Sequence, residues 1–321
     1  MGIRDLVADL RAKAEIDTVY FVGCGGSLGG FYPAYYLLRQ ESCHFRTELI
    51  TSNEFVYAPP KSCGTNALVV LCTMRGTLET IRAQDTAHAL GATTVGLYVD
   101  ESDLSRRADY PIRYMSIADD SAPASKVNAN LALKLAFELL KQYECYPHYD
   151  EAMTAFDQLD AVYAQALEIA RPMARDFAAD FADTRELYVM GAGASLGAAY
   201  IYSICNVQEM LCIHSATINH GEFFHGPFEI TNDTADFFVL HTAGPTRPMD
   251  DRTLAFLARY ARRYYVLDSG ALGIDAFGEN VREYFNQSLL SPVLNNAFMR
   301  ALSAATGKDY HTRHYMWQVP Y

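Results

Sequence analysis

Two stretches of the chain, VYFVGCGGSLGGFYPAYYL at Val19–Leu37 and LYVMGAGASLGAAYIYSIC at Leu187–Cys205, align at an offset of 168 positions. The offset matches Gly23, Gly25, Ser27, Leu28 and Gly29 with Gly191, Gly193, Ser195, Leu196 and Gly197. In each copy a run of β-branched and aromatic residues predicts a strand, Gly-x-Gly a turn, the serine a helix N-cap, and the residues beyond it a helix. That is the opening βα unit of an open parallel sheet, present twice. The fold class that follows is α/β, with two tandem subdomains over residues 1–150 and 151–321, each an open parallel sheet flanked by helices.

Outward from the first copy, apolar runs at 46–50, 67–72, 94–98 and 111–115 alternate with helical patterns such as Thr77–Leu90, the βαβα spacing of a parallel sheet. Ser125–Tyr143 reads as the helix that closes this half. From Glu151 to Asp183 the chain is Ala-rich with apolar residues at i, i+3 and i+4, which predicts one long bridging helix. A break is expected near Pro172, because proline removes a helix hydrogen bond. Strands are expected again near 186–190, 236–241 and 263–267.

Half of the 321 residues are hydrophobic, enough to bury two cores. The net charge of −12, with no basic run, excludes a nucleic-acid surface, which needs clustered Lys and Arg against phosphates. The longest uninterrupted apolar stretch, Ala67–Cys72, is far shorter than the ~18 residues of a membrane span. Seven cysteines without C-x-x-C spacing read as reduced thiols, and the N-terminal residues carry no apolar export segment. A cytoplasmic protein that acts without nucleic acid or membrane is expected.

The first Gly-x-Gly turn carries chemistry as well as fold. A glycine turn and a serine hydroxyl at a helix start aim several N–H groups at one point, with the positive end of the helix dipole behind them. Gly25, Gly26 and Ser27 therefore read as an anion cradle or, equally, as a tight structural turn. The second turn, at Gly191, reads as structural. Leu28 breaks the dinucleotide fingerprint G-x-G-x-x-G, so no nucleotide cofactor is implied. Thr73-Met74-Arg75-Gly76-Thr77 follows another buried run with hydroxyls and a cation at a strand C-terminus, and by itself reads either as part of a ligand site or as a helix N-cap at Thr77 with a solvated Arg75. Two such turns in one half point to a phosphate. The binding candidates are Gly25, Gly26, Ser27, Thr73, Arg75, Thr77 and Ser125.

In EMLCIHSATINHGEFFHGPFE, Glu209–Glu229, a carboxylate closes an apolar run and a histidine follows sixteen positions on, at Gly226-Pro227. An acid and a base so placed suit proton transfer on a small molecule. Glu209 lies among Ile204, Val207, Met210, Leu211 and Ile213, which predicts a carboxylate shielded from water. The plainer alternatives are a solvated Glu on a helix face and a loop His bonded to backbone. Glu222 reads as either an orienting partner for the His225 imidazole or a helix cap. Around His214 and His220 no carboxylate or cysteine recurs at helical ligand spacing, so no metal is expected. Thr246-Arg247 and Arg313 read as surface arginines or as partners for a substrate carboxylate. The tail bearing Tyr315, Trp317 and Tyr321 reads as a packed aromatic terminus or as the lining for a substrate's amino-acid end.

Gly221-Glu222-Phe223-Phe224-His225-Gly226-Pro227-Phe228-Glu229 is similar to the G-E-x-x-H-G-P-x-E signature of the sugar-isomerase (SIS) family, supported by Ser52-Asn53-Glu54-Phe55. Nearly the whole chain resembles tandem SIS proteins such as the isomerase half of glucosamine-6-phosphate synthase and the deglycases that split phosphorylated Amadori compounds. Arg313–Tyr321 and Gly221–Thr231 most resemble deglycases of the 6-phosphofructose-aspartate type. The resemblance implies that Glu209 is the general base, that His225 serves ring opening and acid catalysis, and that Cys24–Ser27 and Thr73–Thr77 are the anion turns. It also implies a homodimer, since the family's histidine often comes from a neighbouring chain, and a sugar-phosphate substrate without cofactor. The chain departs from the family at Thr73–Thr77, one residue shorter than S-x-x-G-x-T, and has no match for the synthase's C-terminal lysine. A ketose-aldose isomerase or a non-catalytic sugar-phosphate sensor are the competing readings.

Overall fold

The structure, a computed structural model, describes residues 1–320. It comprises two compact units, Met1–Asp157 and a second from Gln158 onward. The division falls inside one continuous helix, Tyr149–Asp180. Pro172 does not break that helix. It sits on the exposed face, where water can satisfy the carbonyl that the ring leaves unbonded.

In the first unit β1 (Thr18–Gly23), β2 (Arg46–Thr51), β3 (Ala67–Thr73), β4 (Thr93–Tyr98) and β5 (Tyr110–Arg113) form a parallel sheet of order β2-β1-β3-β4-β5. Every residue of β1 and β3 is buried, the pattern of strands covered on both faces, and this is why they appear in the sequence as unbroken apolar runs. On one face Tyr20, Val22, Val69 and Leu71 pack with Phe55, Ala83, Ala87 and Leu104. The valines, leucines and phenylalanine among them each contribute about 1.5–3 kcal/mol on burial. The closing helix starts at Asn128 and not at Ser125, because Val127 is extended (ψ 157°) after a short turn over Ala124–Lys126.

In the second unit β6 (Glu186–Gly191), β7 (His214–Asn219), β8 (Asp236–His241) and β9 (Arg263–Asp268) form a parallel sheet of order β7-β6-β8-β9. The strand β7 is absent from the sequence reading. It lies at the sheet edge, with only Ile218 buried, so HSATIN carries no apolar run to announce it. Phe177, Phe238, Tyr265 and Phe298 form the aromatic centre of the core, with edge-on ring pairs 5.0 to 5.6 Å apart. The helix Leu196–Ile201 widens into π-helical turns over Tyr202–Met210, and Leu211 N–H reaches back five residues to the Asn206 carbonyl at 3.2 Å. A second π-helical segment, Leu294–Met299, meets the first through Asn206 Nδ2 donating to Asn295 Oδ1 at 2.8 Å. Such widened turns favour functional positions.

Candidate active site

In the first sheet the chain order reverses between β1 and β3, which opens a crevice beyond their C-terminal ends where such sheets bind ligands. The turn after β1 closes on the Cys24 carbonyl, which accepts from Ser27 N at 3.1 Å and Leu28 N at 3.4 Å. Gly25 adopts φ 55°, a region that disfavours side chains. It is also the N-cap of the short helix Gly26–Gly30, so Ser27 stands in the first helical turn and is not the cap. The Ser27 hydroxyl meets the buried Cys72 thiol, which Asn128 and Tyr114 also approach, and burial pushes that thiol's pKa up. Asn128 is packed so closely over Gly30 that a Cβ there would lie 2.4 Å from Nδ2.

Across the crevice Thr73 Oγ1 accepts the Thr77 N–H at 3.0 Å. Hydroxyl contacts of 3.2, 3.1 and 3.0 Å continue through Thr73, Thr77, Thr80 and Ser52. Thr77 is the N-cap of the helix Leu78–Ala89. One sheet edge thus gathers Gly25, Gly26, Ser27, Thr73 and Thr77. Ser125 lies half-buried on the short turn before Asn128. Arg75 is exposed, with Nε 3.6 Å from Asp100 Oδ2.

The corresponding reversal in the second sheet, between β6 and β8, is filled by the protein's own groups. Ser195 is buried and donates to the Ala192 carbonyl at 2.7 Å. A Cβ on Gly193 would lie 2.5 Å from Thr246 Oγ1. Asp250 Oδ2 takes the Thr242 N–H at 2.9 Å. Beyond it is a cavity of about 570 Å³ lined in part by Arg247, Asp268, Asp275 and Arg282. Both cations there meet carboxylates of the chain: Arg247 with Asp268 at 2.8 Å and Arg282 with Asp275 at 2.5 Å.

Glu209 is the penultimate residue of the π-helical segment, and its neighbour Gln208 donates to the Ser215 carbonyl of β7 at 2.6 Å. The apolar enclosure expected for the carboxylate is not found. Its side chain is 25 % exposed, and Oε1 accepts Arg313 Nε at 3.0 Å and Nη2 at 2.8 Å. The apolar neighbours in sequence, Val207, Leu211 and Ile213, turn into the core instead. Arg313 is therefore no surface arginine, and its carboxylate partner belongs to the chain itself. Sequence reasoning missed the pair, because nothing local links positions 104 apart.

His225 is exposed, two residues beyond the helical turn His220–Phe223 that follows β7. Its N–H donates to the Glu222 carbonyl at 2.9 Å, while Gly226 takes φ 135°. The Glu222 side chain is exposed and makes no hydrogen bond or ion pair with the imidazole among the described residues. Phe223, Phe224, Phe228 and Phe256 anchor this loop through edge-on ring contacts. Glu209 precedes β7 and His225 follows it. The six residues of β7 rise about 17 Å, so the segments that carry the two candidates leave that strand from opposite ends, and no hydrogen bond or ion pair joins Glu209 to His225 among the described residues.

Tyr315 and Trp317 are exposed, so the tail is not a packed aromatic terminus; Tyr321 lies outside the described residues. The tail is tied down by Arg313 and by Lys308, whose Nζ donates to the Cys212 carbonyl at 3.2 Å. No helix is long and apolar enough to cross a membrane among the described residues.

No family model matches the chain. It is similar to the fructosamine deglycase FrlB of Bacillus subtilis (strain 168), with 35% identity over 99% of the chain and 97% of that protein. The fructoselysine 6-phosphate deglycase of Escherichia coli O157:H7 is 23% identical over 83% of the chain and 77% of its own length. Among solved structures, a provisionally assigned phosphosugar isomerase of Salmonella typhimurium LT2 superimposes with TM-score 0.96 at 40% identity, covering 100% of the chain and 98% of its own.

Proposed function

This chain belongs to the tandem sugar-isomerase (SIS) family, and on that premise we propose that it is a deglycase cleaving a phosphorylated Amadori compound to glucose 6-phosphate and a free amino acid. The observation that carries the reading is the end-to-end likeness to a fructosamine deglycase, 35% over 99% of the chain. The substrate type we favour is 6-phosphofructose-aspartate.

The turns at Gly25–Ser27 and Thr73–Thr77 take the phosphate, with Ser125 beside them and Arg75 supplying positive charge. In the open-chain ketosamine, the Glu209 carboxylate removes a proton from C1 while the carbonyl oxygen at C2 gains one, giving an enaminol. The same carboxylate returns the proton to C2, which leaves a Schiff base between C1 and nitrogen. Water adds at C1 and the amine departs. The His225 imidazole, which can both donate and accept a proton, opens the sugar ring and protonates the departing groups. The separation of Glu209 and His225 across β7 supports a site that takes its histidine from a second copy of the chain, hence a homodimer. Glu222 shapes the loop through its carbonyl.

The test is a panel of 6-phosphofructose-aspartate, 6-phosphofructose-asparagine, fructoselysine 6-phosphate and glucosamine 6-phosphate, assayed for glucose 6-phosphate and free amine. Amine release from the aspartate conjugate supports the proposal. Sugar interconversion without amine release would favour the second reading, a ketose-aldose phosphosugar isomerase, to which the likeness to the provisionally assigned isomerase lends weight.

A further inference from the structure

We propose that Arg313 is the positioning residue for the Glu209 carboxylate, holding Oε1 so that Oε2 is the oxygen that exchanges the substrate proton. The inference rests on the reading of Glu209 as the base. Its own ground is the geometry of the pair. Arg313 places Nε and Nη2 on the same oxygen, Oε1, at 3.0 and 2.8 Å. A forked pairing would have occupied both oxygens. Here Oε2 accepts no bond among the described residues, so one oxygen is fixed and the other is free.

The guanidinium is itself fixed. Its Nη1 donates to the Tyr310 carbonyl at 2.7 Å and the Thr312 carbonyl at 3.1 Å, and its side chain is only 12 % exposed. Tyr310 packs against the second unit's core, so the loop that holds the arginine is anchored to the body that carries Glu209. The pair is partly withdrawn from water, so removing one partner costs more than it would in an exposed pair. It also restrains a carboxylate at the end of a π-helical segment that would otherwise explore several rotamers.

Proton transfer between adjacent carbons needs that restraint. One oxygen must stay within about 3–3.5 Å of both C1 and C2, and a misplacement of about 1 Å can cost a factor of about 100 in rate. Lysine can replace the arginine only in part, since a single ammonium lacks the rigid, planar set of donors that grips one oxygen twice while bonding two carbonyls.

The experiment compares Arg313→Ala and Arg313→Lys with the parent chain and with Glu209→Gln, using 6-phosphofructose-aspartate as substrate and amine release as readout, with folding checked by circular dichroism. The expected result for Arg313→Ala is a fall in kcat of about 100-fold with KM changed less than about threefold, and an intermediate kcat for Arg313→Lys. Added guanidinium ion should restore part of the Arg313→Ala turnover, whereas equal urea or sodium chloride should not. Unchanged or raised kcat in either folded variant, rescue by urea as efficient as by guanidinium, or a rise confined to KM would overturn the inference. If the alanine chain does not fold, the lysine chain decides by the same kcat criterion. Normal turnover in Glu209→Gln would instead remove the underlying assignment of the base, and this inference with it.

Discussion

His220 Nδ1 lies 3.2 Å from Asp250 Oδ1, and both side chains are wholly excluded from solvent. The contact joins the start of the His225 loop to the helix Arg247–Tyr260. Burial drives the two groups in opposite directions. The imidazole falls from 6.5 to about 4, a shift that the backbone carbonyls of Met190 and Met249 partly oppose. The carboxyl rises from 3.8 to about 6, opposed by bonds from Thr242.

The sign of each effect on stability differs. For His220, the folded value is depressed, so its contribution is complete above pH 6.5 and is lost as pH falls toward 4. For Asp250, the folded value is raised, so its contribution is complete below pH 3.8 and is lost as pH rises through 6. Between pH 4 and 6 the two slopes oppose each other. Asp250→Asn should therefore unmask the histidine, giving an unfolding free energy that climbs by ~3 kcal/mol from pH 4 to 6.5 relative to the parent's profile. Denaturant midpoints across that range check it, and a profile parallel to the parent's would refute it.

Glu209→Gln keeps the shape of the side chain and removes its ability to accept a proton. Turnover should drop by ~100-fold or more with sugar-phosphate affinity close to the parent's, while the unfolding midpoint falls because Arg313 loses its charged partner. Single-turnover amine release and product inhibition by glucose 6-phosphate measure the two effects separately. A near-normal rate would remove Glu209 from the mechanism.

If the histidine crosses from a second copy, inactive Glu209→Gln and His225→Ala chains should complement each other. In a twofold dimer half of the re-assorted pairs are mixed, and one of their two sites regains both groups, so roughly a quarter of parental activity should return on mixing. Activity that stays at the background of the separate variants would point to a one-chain site.

Thr73→Val retains shape but strips the acceptor from the Thr77 N–H and cuts the hydroxyl chain that runs to Ser52. A loss of about 1–2 kcal/mol of stability is expected, together with a KM for the phosphorylated substrate raised about tenfold. Ser195→Ala in the filled second turn should also cost about 1 kcal/mol but leave KM in place, because its hydroxyl bonds only within the protein. Thermal unfolding and steady-state kinetics on both variants test the contrast. Equal KM shifts would mean that the two turns are not functionally distinct.

Much of the fold was legible because the features that announce it are local. The apolar runs of β1, β3, β6 and β8 correspond to central strands covered on both faces, and the glycines of the two turns lie where positive φ is required at Gly25 and Gly193. The strand β7 escaped because an edge strand with one buried residue has no periodic signal. Pro172 misled because the cost of a proline depends on whether the carbonyl it orphans can reach water, which sequence does not record.

The duplication at an offset of 168 and the motif around His225 were enough, on sequence alone, to specify two parallel α/β sheets and to nominate an acid and a base, because strand patterning and turn chemistry act over a few residues. Which groups those residues face was decided only by the folded chain. Glu209 lost its expected apolar shelter to Arg313, 104 positions away, and lies beyond the opposite end of β7 from His225. Long-range pairing and the direction in which a side chain leaves a helix are set by packing, and packing exists only once the whole chain has folded.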